Sequence, residues 1–410
     1  MNKSIMPFYS KSDSIFNTGF LKSFGLAFCW LVLLPFLTFA QITFKKGVVI
    51  DSVEVLNTTG ESFALYLPKS FDTTKPSSII FVFEPAARGA VGVAPFTEAA
   101  ETYGHIIVCS NNSKNGPYEK SFQFANTLFD HVFSTFTINE SEMYVAGFSG
   151  GARLASAIAV LTDRFVGVIA CGAGLSADPS HIPSVQSFAY VGICGNEDMN
   201  YREMLNNKGF LEKTGLKNTL ITYNGEHRWP PKDQINKAFR WLSIATDTHK
   251  ESWVTNFNAE YQEADLLKAN NEQLLAAENY DRLLRFYSSH FSLDTVKTSY
   301  LTLTGSKPYK TEVKALQMAL AKEDEWSKRL FDRFNKDIQS PKSVNMSWWR
   351  KEFEKLKKLE EKGAKQQKKM IKRLRFSLFA AAYSRGNPNL YSSNNGQLEF
   401  CKKIRNLIYL

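Results

Sequence analysis

The sequence predicts an α/β chain: a mainly parallel sheet with helices on both faces, followed by an all-α region. Three observations predict it. Between Thr43 and about Ala245, short apolar runs alternate with helical stretches, the pattern of strand–helix–strand units. The later runs are nearly continuous in apolar residues, as in strands buried on both faces. After Ala245 no strand pattern persists, and long polar–apolar helical runs take over.

The strands expected in order are Gly47–Leu56, Ser62–Leu67, Ser78–Phe83, His105–Cys109, Glu142–Ala146, Gly167–Cys171, Phe188–Cys194 and Thr219–Tyr223. Helices are expected over Phe96–Thr102, Lys120–Ser134, Gly150–Leu161, Tyr201–Lys213 and Asp233–Ser243. No helix separates the first two strands, so an antiparallel start is expected. Beyond it come helical runs over Trp253–Phe291, Thr311–Ile338, Ser347–Tyr383 and Leu390–Ile408. Ala276 to Leu284 resembles a tetratricopeptide helix pair, with a degenerate copy near Phe379–Leu390, although a repeat needs several copies. The domains read as 1–40, 41–246 and 247–410.

Residues 1–40 read as a signal peptide. Lys11 and Lys22 precede the apolar run Phe24–Ala40, which ends in Thr38-Phe39-Ala40 before Gln41. The competing reading is an N-terminal membrane anchor, for which 17 residues containing Pro35 is short; a span takes ~20. The expected location is periplasmic or extracellular. Export permits a Cys171–Cys194 bridge, against the simpler expectation that these thiols pack as small hydrophobes. No CxxC or Cys/His cluster points to a metal, and no cofactor is expected.

The net charge of +10 is unevenly placed. Asp247–Leu410 holds 30 Lys+Arg and 20 Asp+Glu, so residues 1–246 are neutral. Lys342–Arg375 alone has 13 basic and 4 acidic residues. Three roles compete for that stretch: contact with an anionic surface, protein docking, or a solvated helix face. Nucleic acid is not expected, because no reading motif is present.

The chemistry centres on Gly147-Phe148-Ser149-Gly150-Gly151, between a strand and a helix. Glycines two before and two after the serine let strand and helix approach. Ser149 reads as a nucleophile and the amide of Gly150 as an oxyanion donor. A serine needs a base. Of six histidines, His227 follows the last strand of the sheet, over the same edge as Ser149. The carboxylate should follow an earlier strand. Asp198 in Gly195-Asn196-Glu197-Asp198 gives the order Ser, Asp, His, with Glu197 as its rival.

These motifs, with the His-x-Trp-Pro stretch Gly225–Pro230, resemble the α/β-hydrolase superfamily over about residues 62–245. The likeness is to its secreted feruloyl-esterase, polyhydroxybutyrate-depolymerase and dienelactone-hydrolase-like esterases. It implies hydrolysis of a small-molecule or polymer-linked ester through an acyl-enzyme. Such enzymes carry His-Gly after the third strand, whereas here Phe83 leads into Glu84-Pro85-Ala86-Ala87-Arg88. Pro85 has no N–H, so Ala86 is the expected second oxyanion donor, with Ala87 as the other choice. Arg88 either binds a substrate carboxylate or pairs with Glu84. Asn115, Phe148 and Trp229 are the remaining candidates for substrate contact. A peptidase, or a binding protein on a hydrolase scaffold that docks through its helices, are the alternative functions.

Overall fold

Among the described residues, eight strands form one sheet in the order β1-β2-β4-β3-β5-β6-β7-β8. They are β1 (Val49–Glu54), β2 (Ser62–Tyr66), β3 (Ser77–Phe83), β4 (Ile106–Ser110), β5 (Ile138–Phe148), β6 (Gly167–Cys171), β7 (Ala189–Gly195) and β8 (Asn218–Tyr223). Only β1–β2 and β2–β4 pair antiparallel; β4-β3-β5-β6-β7-β8 run parallel. This is the expected mainly parallel sheet, antiparallel start included. The computed structural model describes residues 44–387 and 392–409. The expected signal peptide therefore lies outside the described residues.

The alternation of side chains divides the core. On one face Phe81, Val145 and Ala170 pack with α3 (Tyr118–Thr135) and α4 (Gly150–Thr162). On the other, Ile80, Val82, Ile169 and Val191 pack with α2 (Thr97–Tyr103) and α6 (Lys232–Ala245). A sheet covered on both sides has no face on which polar residues could alternate, which explains the continuous apolar runs. A short α1 (Gly89–Val93) precedes α2, and α5 (Tyr201–Thr214) follows β7. Cys109, Cys171, Cys194 and Cys401 are free, buried thiols. The Cys171–Cys194 bridge is not made, and both side chains pack as hydrophobes instead.

Among the described residues seven α-helices follow: α7 (Trp253–Ala269), α8 (Gln273–Phe286), α9 (Asp294–Gly305), α10 (Lys307–Gln339), α11 (Met346–Lys362), α12 (Lys365–Arg385) and α13 (Asn395–Ile408). Two expected helical runs are divided. Asn271 adopts φ 59° between α7 and α8. At Gly363 the chain turns so tightly that a Cβ would lie 2.3 Å from the Leu359 carbonyl oxygen. Phe44–Leu410 form one compact unit. The helices cover the open β8 edge: Thr222 donates its N–H (2.8 Å) and hydroxyl (2.6 Å) to the Glu278 carboxylate of α8. That contact occupies edge hydrogen-bonding capacity that would otherwise invite another strand. Among the described residues no helix is long and apolar enough to cross a membrane.

His105 is buried among Tyr103, Tyr144 and Phe239, with Nδ1 2.6 Å from Ser78 Oγ. Burial pushes its imidazole down from 6.5 to about 3, with His249 adding to the effect. The unfolded chain takes up this proton near 6.5 and the folded chain only near 3, so its contribution to stability is complete above 6.5 and declines as pH falls toward 3. Denaturant unfolding at about pH 7 and pH 5 should show a loss of about 2 kcal/mol from this group. His105→Gln should flatten that acid limb; an unchanged slope would place its origin elsewhere.

Candidate active site

Ser149 sits between the end of β5 and the start of α4, beside β3, where the strand order reverses. Such a switch point opens a crevice at the carboxyl ends of the strands. Its backbone is held at φ 53°, ψ −122°, unusual for a residue with a side chain. The reason lies in the flanking glycines. A Cβ on Gly147 would stand 2.2 Å from the Gly151 carbonyl oxygen, and one on Gly151 would stand 2.0 Å from that of Phe83. The turn is fastened by the Ser149 N–H, which donates to Cys171 O at 2.8 Å. Gly150 begins α4, and its amide and that of Gly151 precede the first helical bond, from Ala152 N–H to Ser149 O at 3.0 Å, at the end of the helix that favours negative charge.

The loops after β7 and β8 bring the other two groups to the serine. Asn196 donates its N–H to Tyr223 O (2.8 Å) and Glu197 to Gly225 O (2.9 Å), tying the loops together. His227 Nε2 lies 3.0 Å from Ser149 Oγ. His227 Nδ1 lies 2.9 Å from both oxygens of Asp198. The Asp198 side chain is 1% exposed, and its Oδ1 also accepts the Asn200 N–H at 2.8 Å. Glu197, the rival, points away and pairs with Lys372 at 2.7 Å.

The loop after β3 departs from expectation. The buried Glu84 carboxylate accepts the Ala86 N–H at 2.7 Å and the Arg88 N–H at 3.0 Å. Ala87 donates to Glu84 O at 3.1 Å. The Ala86 amide is thus committed to a carboxylate, which corrects its expected place as oxyanion donor. Arg88 takes the structural alternative, since its guanidinium pairs with Glu84. Asn115 is held here by its own N–H, which donates to Pro85 O at 2.9 Å. Its carboxamide lies against Gly150: a Cβ there would meet Oδ1 at 1.9 Å and Nδ2 at 3.2 Å.

A cavity of about 340 Å³ opens beside Ser149, lined among others by Asn115, Tyr118, Arg153, Met199 and Asn200. Arg153 spends its charge on Glu203, with both contacts at 2.7 Å. Phe148 and Trp229, expected as a substrate wall, pack beside His227. The Phe148 ring lies 4.7 Å from that of His227 and 5.3 Å from that of Trp229. Trp229 in turn meets Phe96 edge-on. One group has no signal in the sequence near the site: Phe376, whose ring stands 5.6 Å from that of His227.

Part of the chain is similar in structure to many solved proteins, among them three hydrolases or esterases. One is the fluorophosphonate-binding serine hydrolase F of Staphylococcus aureus (14% identity, 49% of this chain, 99% of that one, TM-score 0.37). Another is Est1E of Butyrivibrio proteoclasticus (14% identity, 48% and 99%, TM-score 0.38). The third is an esterase of Pyrobaculum calidifontis (11% identity, 51% and 87%, TM-score 0.40). No family model and no curated protein matches the sequence.

The elbow makes a stability prediction. Gly151→Ala should lower stability by at least about 2 kcal/mol, because its methyl meets main chain rather than a side chain that can move. Gly209→Ala in α5, where no atom lies within 4 Å of the new Cβ, should raise it by about 0.5–1 kcal/mol. Thermal unfolding of the two variants gives the comparison; equal shifts would contradict it.

Proposed function

We propose that the protein is an exported serine hydrolase that cleaves a carboxylic ester through an acyl-enzyme. One observation carries the reading: Ser149 Oγ, the His227 imidazole and the Asp198 carboxylate form a continuous line of contacts of 3.0 and 2.9 Å. His227 Nε2 takes the hydroxyl proton as Ser149 Oγ attacks the ester carbonyl. Asp198 accepts the Nδ1–H bond and stabilises the imidazolium without itself taking the proton. The tetrahedral oxyanion is met by the Gly150 N–H at the positive end of α4. The Asn115 carboxamide, set against Gly150, supplies the second donor in place of the committed Ala86 amide.

As the tetrahedral adduct collapses, the alcohol leaves with a proton from His227 and an acyl-Ser149 ester remains. Water then attacks that ester, again with His227 as base, and releases the acid and free Ser149. The small cavity, polar around Asn115, Tyr118 and Asn200, suits a compact acyl group. The signal-peptide pattern read in the sequence of residues 1–40 supports export. The assembled array speaks for catalysis over a binding protein on a hydrolase scaffold.

A fluorophosphonate probe should label the purified mature protein and leave Ser149→Ala unlabelled. A folded wild type that takes no label would sink the reading. On whichever acetyl, feruloyl or short-chain ester is turned over, His227→Ala should reduce kcat by about 10³-fold or more. Asn115→Ala should cost about 10²-fold, chiefly in kcat. A change in KM alone would make Asn115 a binding residue.

A further inference from the structure

Four residues of α12 fall on one face of that helix: Lys369, Lys372, Arg373 and Phe376. All four touch the two loops that present Asp198 and His227. Lys372 Nζ pairs with Glu197 at 2.7 Å, one residue before Asp198. Arg373 Nη1 donates to Asn196 O at 2.7 Å, two residues before it. Lys369 Nζ donates to Asn224 Oδ1 at 2.8 Å, three residues before His227. The same Asn224 oxygen accepts from Asn196 Nδ2 at 2.8 Å, so Lys369 secures the joint between the loops. Phe376 lies against the His227 ring itself.

The centre of this face is a fully buried guanidinium. Arg373 is 0% exposed, and Glu323 of α10 neutralises it through Nε and Nη2. A buried charge without its partner is strongly disfavoured, so Glu323 fixes where the remaining donor points. That donor points to the main chain beside Asp198. Two further cations within Lys365–Arg375 are also paired with carboxylates, Lys365 at the surface and Arg375 half-buried. Lys365 pairs with Glu272 at 2.7 Å and Arg375 with Glu360 at 2.6 Å.

We propose that α12 is a positioning element for the acid–base pair: its Lys369–Phe376 face holds the Asp198 and His227 loops in register with Ser149. The inference rests on the serine-hydrolase reading above. It makes the helical region a working part of the site. The loops after β7 and β8 leave the sheet on separate strands, and α12 is the element that grips both.

The test uses the full mature chain with ¹³C-labelled histidine and two exposed or half-buried positions, Lys372→Met and Phe376→Leu. The His227 ring resonance, assigned by its loss in His227→Gln, should be single and sharp in wild type and broadened or multiple in both variants. The His105 resonance, deep in the sheet, should not move, which shows that the fold is kept. Lys372→Arg and Phe376→Tyr should restore the sharp His227 line. Labelling of Ser149 by the fluorophosphonate probe should slow about tenfold in Lys372→Met and Phe376→Leu. An unchanged His227 resonance in both would overturn the proposal whatever the reactivity. If the resonance responds but the wild type takes no label, the positioning role stands and the hydrolase reading fails.

Discussion

The close contact of β5 with α4 is the constraint on which the site depends. Two glycines let main chain meet main chain at distances no side chain would survive, and Ser149 between them is held at positive φ. Strain of this kind persists only where the surroundings over-determine it. Here β3 and β6 flank the turn, and the Ser149 N–H is fixed to Cys171 O. The result is a hydroxyl lifted off the sheet at the positive end of a helix. Its position is set before any substrate arrives.

A second theme is the placement of buried charge. Arg282 is 1% exposed against Glu260, Lys237 is buried against Glu263, and Arg373 is enclosed with Glu323. Burial pushes the Lys237 ammonium below its ordinary range, and neighbouring Arg282 adds to that. It pushes the Glu278 carboxyl up, opposed by Arg282. Charges removed from water tolerate few geometries, because each needs its partner and its remaining hydrogen bonds at once. These pairs join helix to helix: Arg282 of α8 with Glu260 of α7, Lys237 of α6 with Glu263 of α7, and Arg373 of α12 with Glu323 of α10. The α12 contacts at Asn196 and Glu197 belong to the same network.

All eight strands were legible because burial on both faces leaves an apolar run that nothing else in the chain imitates. The helices around the sheet were legible from their period, with ends within a few residues. Short α1 has too few turns to show a period, and α9 was hidden beside the much longer α10. The divisions at Asn271 and Gly363 depend on local backbone geometry. Asn271 breaks no apolar pattern that the sequence displays.

The sequence by itself determined the elbow, the order of Ser149, Asp198 and His227, and the change of architecture near Ala245. Each of these is written within a few consecutive residues or in a repeating period. Only the tertiary structure set Asp198 rather than Glu197 against His227, committed the Ala86 amide to Glu84, packed Phe148 and Trp229 beside His227, and laid α12 against the loops after β7 and β8. Those outcomes are contests between alternative partners for the same polar group or ring. Some of the winning partners come from far along the chain, 175 residues from Glu197 in Lys372 and 177 from Asn196 in Arg373. Contacts of that range leave no mark on local pattern, because they form only when the folded surfaces meet.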